Sequence, residues 1–178
     1  GPYFKQIFWT ITKSTNKPDF EAASQRLYNG NKEGWTALMK TDLKHWCKSF
    51  CSTDIKCDII SNNLCESFNG RLVDAREKSI ITMLEDIRVM VMERMYKQRE
   101  SVRKWTTQYG PRIISKMEEN KKEARWCMAR WNGGDEYEVQ HNSDVYDVNT
   151  VKRTCACRAW DLLGIPCSHA IAAIILTT

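Results

Sequence analysis

The sequence lacks long apolar runs, internal repeats and low-complexity tracts. No window approaches the roughly 18 uninterrupted apolar residues of a membrane-spanning helix, so we expect no membrane span. Eight cysteines among 178 residues are too few to mark a disulfide scaffold, and their number alone decides nothing. With 42% hydrophobic and 28% charged residues, the chain is too apolar for a disordered protein. One domain, or one domain with a small appended module, fits this length.

The sequence also lacks an initiator methionine and the segments of a secretory signal. Gly1-Pro2 is typical of what remains after removal of a tag, so we interpret residues 1–2 as such a remnant. We therefore expect the chain to be a piece of a longer protein. Because no secretory signal is visible, reduced thiols are the expected state, which favours a metal-binding role for cysteine.

Neither basic nor acidic residues are in large excess. The net charge is +5, from 27 basic and 22 acidic side chains. Residues 1–110 carry 18 basic and 13 acidic side chains, whereas residues 111–178 carry nine of each. This mild excess is compatible with nucleic-acid binding but does not by itself predict it.

Residues 3–125 show the apolar spacing of amphipathic helices. Phe4, Ile7 and Ile11 predict one apolar helix face at the start of the chain. Asp19 is expected to cap a second helix, and the longest helix is expected over residues 79–105. The fold class predicted for this part is therefore mainly α.

The pattern changes at residue 126. Alternating residues predict strands over residues 126–131, 137–141 and 145–148, with a glycine-rich turn after the first of them. A further strand could include part of residues 150–155, and an apolar helix is predicted over residues 167–176. We expect two domains, a helical part over residues 3–125 and a small β-plus-α module over residues 126–178.

The most informative spacing is C-x-C-x9-C-x-H near the C-terminus, formed by Cys155, Cys157, Cys167 and His169. Three thiolates and one imidazole are a usual ligand set for structural zinc, and four protein ligands leave no open position for catalysis. The alternative is that these are four unrelated residues, since cysteine is often a small buried apolar residue. If these residues bind zinc, the folding of the last 50 or so residues should depend on the metal, because the binding energy contributes to folding.

Residues 155–174 closely resemble the SWIM zinc finger, in the version found in plant Mutator-like transposases and their domesticated relatives. Beyond the four candidate ligands, the likeness includes Arg158, Trp160, Asp161, Gly164, Ile165 and Pro166. The strands before the finger, with Asn132-Gly133 and Tyr137-Glu138-Val139, also resemble the approach to the finger in that family.

A second informative tract contains Asn63 and Glu66, whose spacing alone fits a helix capping box. Residues 62–88 also resemble the part of Mutator-like transposases that follows a helical insertion, and residues 3–60 resemble the insertion itself. The resemblance implies a ribonuclease-H-like core in which two aspartates and one glutamate hold Mg²⁺ or Mn²⁺. Glu66 stands where that glutamate falls. The two aspartates would precede residue 3, so we expect this chain alone to be inactive.

Several other residues have weaker interpretations. Asp58 is a fallback acidic ligand but is better explained as a turn or solvated residue. His45 and His141 have no partnering spacing, and Cys127 is interpreted as a strand core residue. The remaining cysteines could form a second thiolate set, although buried free thiols explain them better; they are Cys47, Cys51, Cys57 and Cys65.

Basic side chains offer candidate contacts with DNA phosphates, although a solvated helix face is the favoured explanation for any single one of them. The candidates are Lys97, Arg99, Arg103, Lys104, Lys152, Arg153 and Arg158. The family resemblance implies a longer protein that cuts and joins DNA in the nucleus. Two alternatives stay open: a domesticated transcriptional regulator, and a zinc module that docks a protein partner. An oligomer is also left open.

Overall fold

The computed structural model describes residues 2–57, 59 and 63–177. The chain forms two compact units, one of residues 1–60 together with 115–178 and the other of residues 61–114. Helices make up 61% of the chain and a small antiparallel sheet lies near its C-terminus. The predicted fold class, mainly α with a small β-plus-α module, is confirmed at this level.

The first unit begins with three helices, α1 (Pro2–Lys13), α2 (Lys17–Gly30) and α3 (Lys32–Met39), followed by 3-10 turns at Leu43–His45 and Lys48–Phe50. These elements bury one apolar cluster because α1 and α2 each carry an apolar stripe at helical spacing. The cluster contains Ile7, Ile11, Phe20, Ala23, Leu27 and Cys47.

Asparagine side chains begin two of these helices. The Oδ1 atom of Asn16 accepts a hydrogen bond of 2.9 Å from the backbone N–H of Asp19, and Asn31 caps α3 in the same way through Gly34. The expectation that Asp19 caps α2 is therefore wrong. Asp19 lies in the first turn, where its carboxylate accepts a hydrogen bond from Nδ2 of Asn16 and suits the positive end of the helix.

The segment that contains the second 3-10 turn is held against the loop between α1 and α2. The hydroxyl oxygen of Ser49 lies 2.8 Å from the carbonyl oxygen of Ser14 and 2.9 Å from that of Asn16. The thiol of Cys47 donates to the carbonyl of Ile11 at 3.3 Å. These buried contacts fix the backbone around Ser49.

The second unit contains α4 (Asn63–Arg71), α5 (Val73–Arg76) and α6 (Ile80–Arg103). The last of these lies within the long helix predicted over residues 79–105. None of its described side chains is buried, and apolar residues such as Ile81 and Leu84 are exposed. No described helix in the chain is both long and apolar enough to cross a membrane.

A four-stranded antiparallel sheet follows α7 (Pro111–Ala124) in the sequence. Its strands are β1 (Cys127–Trp131), β2 (Glu136–His141), β3 (Asp144–Asn149) and β4 (Thr154–Cys155), in that spatial order. The helices α8 (Ala159–Leu163) and α9 (Ser168–Leu176) complete the module, and α9 packs across the sheet. Its core includes Val139 and Val148, which are both almost fully buried.

The predicted change from helices to strands falls between the end of α7 and the start of β1. The compact units divide the chain elsewhere, because the first one combines residues from both sides of this point. The division into domains over residues 3–125 and 126–178 therefore stays a prediction.

Candidate metal centre

Four side chains converge in the C-terminal module: Cys155, Cys157, Cys167 and His169. All four are buried, and their ligand atoms lie within 4.8 Å of one another. The Nδ1 atom of His169 is 3.7 Å from the sulfur of Cys155 and 4.0 Å from that of Cys167. The spacing recognised in the sequence therefore corresponds to one compact group in the fold.

The group is close to the size that a zinc ion requires. With Zn–S bonds of about 2.3 Å and Zn–N bonds of about 2.0–2.1 Å, a sulfur–nitrogen edge of a tetrahedral site is about 3.5–3.6 Å long. The two sulfur–nitrogen distances of 3.7 and 4.0 Å lie slightly above that range. Three sulfurs with one imidazole nitrogen also match the chemistry of a structural zinc site.

Local backbone structure positions each candidate ligand. Cys155 ends β4, where its N–H donates to Oδ2 of Asp161 at 3.1 Å. Cys167 is the N-cap residue of α9, and its sulfur accepts the N–H of Ala170 at 3.4 Å. His169 lies in the first turn of the same helix. A strand end and a helix start thus supply the two ligand pairs.

The loop between the pairs contains α8 and two left-handed residues, Arg158 (φ 60°) and Gly164 (φ 71°). They flank α8 and reverse the chain direction on either side of it. Glycine adopts this conformation readily, whereas arginine does so at a cost. The contacts of Arg158 offset that cost.

Hydrogen bonds distribute charge unequally over the three thiols. Bonds from Cys155 and then Cys157 hold the pKa of Cys167 well below its usual range. The pKa of Cys155 is raised far above its usual range, first by its hydrogen bonds to Cys157 and Cys167 and further by burial. Cysteine binds metal as the thiolate. Metal binding would release the remaining protons.

The other ring nitrogen of His169 has a partner that the sequence analysis missed. Its Nε2 atom lies 3.1 Å from Nδ1 of His141, and the ring of Tyr146 stacks on it with centroids 4.0 Å apart. The interpretation of His141 as a residue without a partner is therefore wrong. Spacing could not reveal it, since His141 is 28 positions away and depends on the pairing of β2 with its neighbours.

Residues 158–166, the zinc loop between the two ligand pairs, are also joined to the N-terminal helical part of the same unit. The guanidinium of Arg158 donates to the carbonyls of Ser49 and Cys51. The ammonium of Lys56 donates to the carbonyl of Asp161 at 2.9 Å. Asp161 thus contacts both Cys155 and Lys56, so the chain around the metal centre is tied to residues 47–57.

Glu66 lies exposed in the first turn of α4, in the other compact unit. Asn63 is the first residue of α4, and its capping box with Glu66 stays a prediction. The fallback ligand Asp58 lies outside the described residues. Within residues 2–57, 59 and 63–177, no group of three or more metal-binding side chains includes Glu66. Its role as a metal ligand in a complete core stays a prediction.

The candidate DNA contacts differ in their surroundings. Six of the seven side chains are exposed, and Arg158 is half-buried. Lys97 pairs with Glu93 and Arg103 pairs with Glu100 along α6. A DNA contact by Arg158 stays a prediction. It would have to use guanidinium N–H groups that are not bonded to the carbonyls of Ser49 and Cys51. The remaining exposed candidates are Arg99, Lys104, Lys152 and Arg153.

The cysteines outside the Cys3His group have different surroundings. The expectation of buried thiols is confirmed for Cys47, and Cys51 is half-buried. It is wrong for Cys57 and Cys65, which are exposed. In the part of the chain that the structure describes, these four do not form a metal-binding group. The half-buried Cys127 instead joins His141 and His169 in a smaller cluster.

A small sheet, a capping helix and a buried Cys3His group define the class of this module as a zinc finger. Residues 137–177 match the family model of the SWIM zinc finger. No curated protein and no solved structure matches the chain. The SWIM match and the Cys/His cluster together support a structural zinc ion. SWIM fingers occur in Mutator-like transposases, but this match does not extend to residues 1–136.

Proposed function

We propose that residues 127–177 form a zinc-stabilised binding module in which Cys155, Cys157, Cys167 and His169 hold one structural zinc ion. The observation that carries this proposal is the convergence of four buried ligand atoms within 4.8 Å of one another. Four protein ligands fill a tetrahedral shell and leave no position for a substrate. The ion would therefore stabilise the fold of the module, and it would supply no catalytic step.

Zinc content measured on the purified chain tests this assignment. We expect one zinc per chain, and we expect Cys167→Ser to lose it because a hydroxyl is a poor replacement for a thiolate ligand. Cys57→Ser and Cys65→Ser are matched controls, since both side chains are exposed and outside the cluster. Retention of full zinc content by Cys167→Ser and by Cys155→Ser would contradict the proposal.

We further propose that the chain is a piece of a Mutator-like transposase that acts on DNA in the nucleus. The SWIM match supports this, as does the resemblance of residues 62–88 to the catalytic part of that family. The complete ribonuclease-H-like core would bind Mg²⁺ or Mn²⁺, which activate a water or 3′-hydroxyl and stabilise the leaving oxygen. Glu66 would hold metal together with two aspartates from the longer protein.

A nicking assay on supercoiled DNA tests the catalytic part of this proposal. The chain alone should show no activity with Mg²⁺ or Mn²⁺, because one carboxylate cannot hold two metal ions. The longer protein should nick DNA, and Glu66→Gln should abolish that activity. Glu77→Gln is a matched control, because Glu77 is also an exposed glutamate of the second unit. Nicking by the chain alone that Glu66→Gln removes would overturn the expected division of the active site.

The charge balance favours a second candidate, a zinc module that docks a protein partner. Residues 111–178 carry nine basic and nine acidic side chains, which gives no net attraction to phosphate. DNA affinity measured against salt separates the two candidates. Phosphate binding predicts a steep fall with salt, of slope about −0.9 per phosphate contact. Absence of DNA binding even at low salt would favour the protein partner.

A further inference from the structure

The imidazole of His169 has two distinct sides. Its Nδ1 atom faces the sulfurs of Cys155 and Cys167 at 3.7 and 4.0 Å. Its Nε2 atom faces Nδ1 of His141 at 3.1 Å, within the normal range for an N–H···N hydrogen bond. A neutral imidazole carries one proton, so a metal on Nδ1 places that proton on Nε2.

We propose that His141 is a positioning residue for the metal centre, accepting through its Nδ1 atom the hydrogen bond that Nε2–H of His169 donates. This inference rests on the proposed zinc site. The bond selects the tautomer of His169 in which Nδ1 is free to bind the ion. It also fixes the rotation of the ring toward the sulfurs. Partners of this kind raise the basicity of a ligating histidine and hold its orientation.

Two further contacts define the position of both rings. The ring of Tyr146 stacks on His169 with an interplanar angle of 16°, which prevents the imidazole from tipping out of its plane. His141 ends β2, where it pairs with Cys127 on one side and Asp144 on the other. Strands on both sides therefore hold His141, so the sheet fixes the position of the acceptor.

A metal ion between the two histidines is the competing interpretation, because Cys127, His141 and His169 also lie within 4.8 Å of one another. That ion would have to bind Nε2 of His169 while zinc binds Nδ1. The imidazole would then lose its last proton, which a hydrogen bond does not require. Because His169 would have to serve both metal ions, a hydrogen bond between Nε2 of His169 and Nδ1 of His141 is favoured over a second ion.

Zinc affinity measured by competition with a chromophoric chelator tests the proposal. We expect His141→Ala to weaken zinc binding by about 10–100-fold. His141→Asn should retain most of the affinity, since its Oδ1 is bonded to the γ carbon as Nδ1 is and can accept the same bond. His141→Gln places its acceptor one bond further out and should behave like His141→Ala. His45→Ala, which removes an exposed histidine, should leave affinity unchanged.

Long-range ¹H–¹⁵N spectra of the zinc-loaded protein give a second measurement that does not depend on affinity. They should show the proton of His169 on Nε2, exchanging slowly in the wild type and faster in His141→Ala. Wild-type affinity in His141→Ala, or equal losses in the Asn and Ala variants, would overturn the proposal. So would a second bound zinc that both His141→Ala and Cys127→Ala remove. If instead the wild type binds no zinc, it is the proposed function that fails.

Discussion

Arg158 combines an unfavourable backbone conformation with favourable side-chain contacts. Its φ of 60° lies in the left-handed region, which costs an ordinary residue roughly 1–2 kcal/mol. Its guanidinium donates to the carbonyls of Ser49 and Cys51, and Ser49 is buried. Hydrogen bonds from a charged donor contribute about 1.5–3 kcal/mol each. The contacts therefore outweigh the strain, which explains why arginine is tolerated at this bend.

Replacement of Arg158 by glycine tests which effect is larger. We expect Arg158→Gly to lower the free energy of unfolding by about 1–5 kcal/mol, because the two lost hydrogen bonds exceed the relief of strain. Arg153 provides the matched control, since its φ is 57° and its side chain is exposed. Arg153→Gly should be neutral or slightly stabilising. Urea unfolding at saturating zinc measures both, and a stabilised Arg158→Gly would contradict this account.

Residue spacing predicted the four candidate zinc ligands because all of them lie within one short tract, residues 155–169. The role of His141 could not be predicted in this way. Its contact with His169 depends on strand register and on how α9 packs over the sheet, which no local pattern encodes. The capping of α2 shows the same limit on a smaller scale, since Asn16 and Asp19 are both good capping residues.

At the scale of elements, the turn between β1 and β2 depends on one glycine conformation. Gly133 has a φ of 87°, and a Cβ atom there would meet nothing within 4 Å. Asn132 supports the turn by accepting the N–H of Gly134 at 2.8 Å. The requirement for glycine at residue 133 is therefore one of backbone conformation, with no steric contact behind it.

Alanine substitutions at the two glycines of this turn should differ in their effect on stability. Gly133→Ala should destabilise the module by about 1 kcal/mol, because alanine disfavours a positive φ. Gly134→Ala should have a smaller effect, since its added Cβ would meet only Oδ1 of Asn132 at an ordinary 3.5 Å. Thermal unfolding of the zinc-loaded protein measures the difference. Equal effects of the two substitutions would show that φ does not decide the stability of this turn.

The elements that sequence periodicity predicted best are the long or strictly alternating ones. α6 keeps one apolar stripe over many turns. β1 and β2 flank the glycine-rich turn, and burial alternates along β2. α8 was not predicted because its five residues, from Ala159 to Leu163, are too few to show a helical period. It forms because Trp160 and Leu162 are buried in the module.

At the scale of the whole molecule, the first compact unit joins residues that are far apart in the sequence. Arg158 and Lys56 connect the zinc loop to residues 49–56 across more than a hundred positions. Composition and periodicity could predict a change from helices to strands near residue 126. They could not predict this pairing, because it consists of side-chain contacts with backbone carbonyls that leave no repeated pattern in the sequence.

The joined unit predicts how far the effect of zinc removal should spread. Because metal-binding energy is folding energy in such modules, chelation should abolish the hydrogen-exchange protection of β2 and α9. Loss of the loop should also release Ser49 and Cys51 from Arg158, so protection in α1 and α2 should fall by a smaller amount. Peptides from α6, in the other compact unit, are the internal reference and should keep their exchange rates. Hydrogen-exchange mass spectrometry before and after chelation, followed by restoration of zinc, measures all three regions.

Unchanged protection in β2 after demonstrated zinc removal would contradict a structural role for the ion. A loss confined to residues 127–177 would show instead that the contacts of Arg158 and Lys56 do not couple the module to the N-terminal helices.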